Sequence, residues 1–154
     1  MAKLVWLLLM WSGSVLPLLA AGSSGFRAQF VGSTLEEIPA KTEGDINFTG
    51  GESLVVHVKK TVLRIPYDRI DTIEYGQRVS RRFAEAVVIS PLLLLSKSRK
   101  HYVSLTYRDE TGRRQAIVFR VDKDDVRPVL AGLETKTGRK VEYQDDEARK
   151  SGKG

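Results

Sequence analysis

The feature of this sequence that most constrains its fold is an alternation of apolar and polar residues that recurs in separate segments. Successive side chains of a β-strand point to opposite faces, so apolar residues at every second position predict strands with one buried face. The apolar residues that share a face are Leu54, Val56 and Val58; Leu63, Ile65 and Tyr67; Val103, Leu105 and Tyr107; and Ile117, Phe119 and Val121. Turns at Lys59-Lys60 and Asp109–Gly112 predict that these segments form two antiparallel hairpins.

Other segments indicate a mainly β chain with one substantial helix near its end. Ala40–Phe48 and a segment that begins near Ile73 predict two more strands, and Lys140–Tyr143 predicts a last extended segment. Between Val126 and Leu133 the apolar residues recur at helical spacing instead. This change of period predicts an amphipathic helix over 124–137 with its apolar stripe on the sheet.

The N-terminal residues have the organisation of a signal peptide. Lys3 provides a positive start, Leu4–Leu19 is a largely apolar stretch, and Ala20–Gly22 are small. Signal peptidase requires small side chains before the cut, so we expect cleavage after Ala21 or Gly22 and export to the periplasm or beyond. The alternative is an uncleaved N-terminal anchor, which leaves the rest of the chain on the same side of the membrane.

The residue types present exclude several classes of site. The chain has no cysteine, which excludes disulfides, thiolate zinc sites and thiol nucleophiles. Its two histidines, His57 and His101, are predicted to be structural, because neither stands in a motif with a nucleophile and an orienting acid. We therefore expect no catalytic residues, no cofactor and no metal, and a protein that is not an enzyme.

Three acids before the predicted helix come nearest to a metal-binding motif. Asp122, Asp124 and Asp125 are spaced like the first ligands of a calcium loop. Such a loop needs glycine at its sixth position and a bidentate glutamate at its twelfth, where this chain has Arg127 and Leu133. These acids are instead predicted to cap the N-terminus of the helix.

Two longer stretches resemble parts of known bacterial proteins. They read I-P-Y-D-R-I-D-T-I-E-Y-G over 65–76 and D-D-V-R-P-V-L-A-G-L-E over 124–134. With the strand pairs around them they resemble the pleckstrin-homology-like (PH-like) and GRAM-like domains, and the chain is similar to small exported bacterial proteins of unknown function. The resemblance implies a partly open antiparallel barrel of about seven strands, capped by one C-terminal helix. Domains of this kind bind lipids, peptides or proteins.

The predicted organisation has four parts. A signal peptide over 1–22 is followed by a flexible leader over 23–37, the PH-like domain over 38–143 and a disordered polar tail over 144–154. The leader and the tail are assigned in this way because both lack regular apolar spacing.

The segment from Arg78 to His101 concentrates the positive charge of the chain. It carries six basic residues and one acid, Glu85, so its charge of +5 equals that of the whole chain without Lys3, since the full chain has +6. Its centre is apolar but is too short to span a bilayer. It is either a pair of buried strands that meet near Ser90-Pro91, an apolar loop that enters a membrane interface below a basic collar, or a protein-docking patch.

These observations favour a non-catalytic binding module of the bacterial cell envelope that contacts a membrane surface or a protein partner. The candidate contact residues are Arg78, Arg81, Arg82, Leu92, Leu93, Leu94, Leu95, Lys97, Arg99 and Lys100. The alternatives are a structural or assembly partner and an unrecognised enzyme. Export makes a nucleic-acid partner unexpected, although the basic residues alone would suit one.

Overall fold

The structure is a computed structural model that describes residues 25–48, 51–87, 89 and 99–153. The predicted signal peptide lies outside the described residues, as do the candidate contact residues Leu92–Leu95 and Lys97.

The described chain contains eight β-strands and three α-helices. The strands are β1 (Gly25–Ser33), β2 (Thr42–Asn47), β3 (Ser53–Val58), β4 (Thr61–Pro66), β5 (Ile70–Gly76), β6 (His101–Arg108), β7 (Arg114–Val121) and β8 (Val141–Tyr143). The helices are α1 (Arg81–Ala86), α2 (Val126–Thr137) and α3 (Asp146–Lys153), and short 3₁₀ turns lie at Tyr67–Arg69 and Lys123–Asp125. Both predicted hairpins and the long helix are confirmed.

All eight strands belong to one sheet in the order β4-β3-β2-β1-β7-β6-β5-β8. Strands β1 to β4 form one antiparallel meander and β5 to β7 form a second, and the two join where β1 pairs with β7. The three-residue strand β8 pairs with β5 in parallel orientation. The predicted β+α class is therefore confirmed. The sheet has eight strands where about seven were expected, is mixed rather than antiparallel, and is not closed into a barrel.

The predicted flexible leader is wrong over 25–33, because these residues form β1 at the centre of the sheet. Strand β1 pairs with β2 on one side and with β7 on the other. Phe30 and Val31 are adjacent and both fully buried, so the second half of β1 has no exposed face. The alternation of β1 is also interrupted, because its core face includes the small residue Ala28 and its pairing with β7 shifts register between Phe30 and Gly32, so the signal that identified the other strands is weak here.

The sheet buries apolar residues on both of its faces. The main core lies on the face that contacts α2, where Val126, Val129, Leu130 and Leu133 are buried as their spacing predicted. It includes buried residues from every strand. A second, smaller cluster lies on the opposite face of β1, β6 and β7, because the alternation of each strand sends its neighbouring residues there. Its members are Val31, Phe83, Val87, Ile89, Tyr102, Ala116 and Val118.

Helix α2 is bounded by backbone interactions rather than by the predicted side-chain cap. Asp125 occupies the N-cap position but its carboxylate makes no capping hydrogen bond. The 3₁₀ turn before the helix instead lets the Asp125 N–H donate to the Asp122 carbonyl at 3.0 Å. At the other end Gly138 adopts the left-handed conformation, with φ of 67°, and its N–H donates to the Glu134 carbonyl.

The predicted disordered tail is also wrong, since residues 146–153 form helix α3. The buried residues of this helix are Ala148 and Gly152. Gly152 lies so close to Tyr143, Leu130 and Tyr75 that a Cβ there would be only 2.6 Å from the Tyr143 ring. Small residues allow this close packing, but they contribute no apolar periodicity that a sequence pattern could reveal.

Candidate binding surface at the β5–β6 connection

Residues 77–100 connect two strands that are directly paired. Strand β5 ends at Gly76 and β6 begins at His101, and Gly76 lies opposite Tyr102 in the antiparallel ladder. At the base of the connection the Lys100 N–H donates to the Gln77 carbonyl at 3.3 Å. The chain therefore leaves the sheet and returns to it at one place. This brings together the two basic flanks that are far apart in sequence.

The first part of the connection is anchored on the outer face of the sheet. The N–H groups of Phe83 and Ala84 donate to the Ser80 carbonyl and begin helix α1, and the buried Phe83 ring joins the second hydrophobic cluster with Val87 and Ile89. The alternative of two buried strands is therefore wrong for residues 81–86, which form a helix. Phe83 is the one buried residue among the six of α1, so the helix lies on the surface.

Arg82 links the connection to two strands at the edge of the sheet. One of its terminal nitrogens lies 2.6 Å from a Glu74 oxygen on β5 and 3.0 Å from a Glu142 oxygen on β8. The hydrogen bond with Glu142, and then the one with Glu74, raises the pKa of Arg82, while partial burial opposes that rise. The Arg82 guanidinium also lies 5.3 Å from the centre of the Phe83 ring. Glu74 is buried, so Arg82 neutralises a charge that would otherwise be unpaired.

Gln144 lies between β8 and α3 and holds the same corner together. Its side-chain amide donates to a Glu74 oxygen at 3.2 Å and to the Arg78 carbonyl at 2.8 Å, and its backbone N–H donates to the Tyr75 carbonyl at 3.1 Å. A Cβ at position 76 would overlap this carboxamide, so a larger residue at the end of β5 would displace the Gln144 side chain from its hydrogen bonds.

Helix α3 contacts both flanks of the connection. Arg99 forms an ion pair with Glu147, and the Gln77 side chain donates to the Ser151 hydroxyl at 2.9 Å. Two shallow clefts lie beside these contacts, one of about 190 Å³ and one of about 520 Å³. Arg78 and Gln144 line both clefts, and Ser80 in the larger one has a buried hydroxyl that makes no hydrogen bond among the described residues.

The structure revises the charge of this surface. Arg81 pairs with Glu85 at 2.8 Å within α1, and Arg82 and Arg99 pair with acids of β5, β8 and α3. Among the described candidates only Arg78 and Lys100 form no ion pair with another described residue. Sequence reasoning missed the neutralising acids, because Glu142 and Glu147 come from strand and helix elements more than forty positions later in the chain.

His101 is partly buried and contacts Tyr75, a fully buried residue that packs close to Gly152 of α3. Its Nδ1 lies 2.7 Å from the Tyr75 hydroxyl, and the two rings are stacked. Burial, and then the charges of Lys123 and Lys100, lower the pKa of His101, whereas burial raises the pKa of Tyr75 to about 12. Both shifts favour the neutral forms of the two groups, which share one hydrogen bond. This arrangement fits the structural role expected for His101.

His57 lies on β3, beside a cleft on the outer face of β1, β2 and β7. Its Nδ1 is 2.9 Å from an oxygen of Asp45, which lines the cleft, and both side chains are partly exposed. The cleft has a volume of about 580 Å³ and is lined by charges of both signs, including Arg27, Arg120 and Glu43. No group of three histidine, aspartate or glutamate side chains among the described residues is arranged to hold a metal ion.

No protein-family model matches this chain, and no curated protein matches it. Within the described part of the chain, none of the helices has both the length and the apolar content needed to cross a membrane.

Proposed function

We propose that this protein is a non-catalytic, exported binding module of the bacterial envelope that contacts an anionic membrane surface through its β5–β6 connection. The observation that carries the proposal is the pairing of Gly76 with Tyr102, which joins the two ends of the connection so that Lys100 hydrogen-bonds to Gln77 and Arg78 lines one cleft with Arg99. The PH-like fold is part of the proposal. It is supported by two antiparallel meanders joined through β1 and β7 and by the apolar face of α2 on the sheet.

The distribution of residue types along the connection suits a membrane interface. Its basic residues stand at the two ends, where the chain enters and leaves the sheet, and the apolar run Leu92–Leu95 lies between them in sequence. A peripheral module binds best when apolar side chains enter the acyl boundary and cations remain at the level of the headgroups. The leucines lie outside the described residues, so their part in the proposal is argued from the sequence.

Two kinds of cation contribute to this surface. Arg78 and Lys100, which have no ion pair among the described residues, are available to lipid phosphates directly, each worth at most about 1 kcal/mol near an anionic bilayer. Arg82 and Arg99 are already paired with carboxylates. The apolar contribution of inserted leucines resists salt while the charge contribution does not, so the two are separable by ionic strength.

The test is co-sedimentation with vesicles of phosphatidylcholine alone and of equal parts phosphatidylcholine and phosphatidylglycerol. We expect binding to the anionic vesicles, weakened by roughly 10-fold in Arg78→Gln/Lys100→Gln, because two headgroup contacts are lost. The matched control is Arg114→Gln/Lys136→Gln, which removes the same charge from exposed positions elsewhere. Equal binding to both kinds of vesicle, or an equal loss in the control, would overturn the proposal.

A protein partner is the second candidate, and the mixed-charge cleft around Arg120 and Asp45 favours it. Charges of both signs on one surface specify a complementary protein better than they attract a uniformly anionic bilayer. If Arg120→Gln abolished a saturable interaction with an envelope protein while vesicle binding was absent, this candidate would replace the first.

A further inference from the structure

We infer that the C-terminal segment from β8 to α3 masks this binding surface, and that an anionic membrane displaces α3 by competing for its arginine partners. The inference rests on the proposed function and adds its regulation. Glu142 and Glu147 act as internal ligands of Arg82 and Arg99, so the domain carries within itself the anions that its surface is built to bind.

The placement of α3 makes it a cover for the connection. The helix contacts the first flank through the hydrogen bond between Gln77 and Ser151 and the second flank through the ion pair between Arg99 and Glu147. It thus lies across the base of the connection, where the chain leaves and re-enters the sheet. While Glu147 is docked there, its carboxylate occupies a donor of Arg99 and repels an anionic surface.

The attachment of α3 is weak enough to be exchanged. Arg99 and Glu147 are 60% and 56% exposed, and ion pairs of such exposure contribute little to stability and are screened by salt. The helix has eight residues, and a helix of that length is not stable without tertiary contacts. Its buried contacts come from the small residues Ala148 and Gly152, which bury little apolar area.

Arg82 and Arg99 differ in which of their carboxylate contacts a lipid phosphate would replace. Glu74 is buried and held by Arg82 and Gln144, so the contact between Arg82 and Glu74 persists when α3 leaves. Glu142 and Glu147 are more than half exposed and are the exchangeable ligands. Guanidinium groups bind phosphate and carboxylate oxygens with the same fork of donors, so lipid phosphate can take the place of either acid.

The first experiment compares vesicle binding by two variants of the full chain with equal charge. Glu142→Gln/Glu147→Gln removes the internal ligands, and Glu36→Gln/Glu110→Gln removes two exposed acids at the opposite end of the sheet. Masking predicts that the first variant binds vesicles of equal parts phosphatidylcholine and phosphatidylglycerol roughly 2- to 10-fold more tightly than the control, the range expected for two exposed ion pairs. Equal affinities would mean that only net charge matters, which refutes masking.

The second experiment follows hydrogen exchange of the α3 amides in the wild-type protein as the same vesicles are added. We expect protection of α3 to be lost on binding while α2 remains protected. Binding with α3 still protected would overturn masking and leave the proposed function intact. Absence of binding in all variants would instead overturn the proposed function, and masking would fall with it.

Discussion

Helices α2 and α3 pack against the same end of the molecule, yet they are held there by different means. Helix α2 buries four branched apolar side chains in the main core, whereas α3 buries one alanine and one glycine and is otherwise fixed by polar contacts. Apolar packing resists salt and costs several kcal/mol to disrupt, whereas exposed polar contacts are screened by salt and cost little to break. Helix α2 therefore belongs to the permanent core, whereas α3 is held by contacts that a competing ligand can replace.

The largest effect is expected from Leu133→Ala, which leaves a cavity under α2. Leu133 is fully buried in the main core, so the free energy of unfolding should fall by about 2 to 5 kcal/mol in chemical denaturation. The matched change Ala148→Gly in α3 removes a single buried methyl group and should cost about 1 kcal/mol. If the two substitutions cost the same, the distinction between the helices is unfounded.

An intermediate effect is expected when a methyl group is added to α3. Gly152→Ala places a Cβ about 2.6 Å from the Tyr143 ring, an overlap that typically costs about 1 to 3 kcal/mol. Hydrogen exchange should show α3 losing protection while α2 keeps its own.

Gly132→Ala in α2 is the control for this change, because its Cβ would lie 3.3 Å from the Phe48 ring, in a tight but adjustable contact. Loss of α3 protection in both variants, or in neither, contradicts the close packing of Gly152.

The smallest effect is expected from pH, through the Tyr75–His101 pair below α3. The pKa of His101 is lowered from 6.5 in the folded protein, so the unfolded chain binds a proton that the folded one does not. Stability should therefore decrease as pH falls below about 6.5 toward the lowered pKa, and α3 should lose protection before α2. The charges that face the imidazole are those of Lys123 and Lys100.

Denaturation of His101→Gln over the same interval provides the check. The variant keeps a polar group beside Tyr75 but does not titrate there, so its stability should depend less on pH than that of the wild type. Parallel pH profiles for the two proteins would exclude His101 as the source of the slope.

The sequence predicts those elements of the fold whose core-facing apolar residues keep a regular spacing. Val103, Leu105 and Tyr107 recur at every second position of β6 and all lie in the main core, and the apolar residues of α2 follow its contact stripe. Strand β1 was not predicted because its core face includes the small residue Ala28 and its pairing with β7 shifts register between Phe30 and Gly32. Helix α3 was not predicted because its packing depends on the absence of side-chain atoms at Gly152, which leaves no apolar pattern in the sequence.

The candidate surface was also predicted only in part. The sequence places Arg78, Arg82, Arg99 and Lys100 on the flanks of one segment, and pairing of β5 with β6 brings those flanks together. The carboxylates opposite them could not be found, because ion pairs between distant elements leave no local pattern. Charge counted along the chain therefore overstated the free positive charge on this surface.

The opposition of Gly76 and Tyr102 also has an evolutionary consequence. Because the two ends of residues 77–100 are fixed to each other by the ladder, the chain between them is an insertion into a hairpin. Lengthening such an insertion costs little, since the entropy of loop closure grows only with the logarithm of its length. Natural selection can thus lengthen, shorten or recompose this insertion without shifting the register of a single strand.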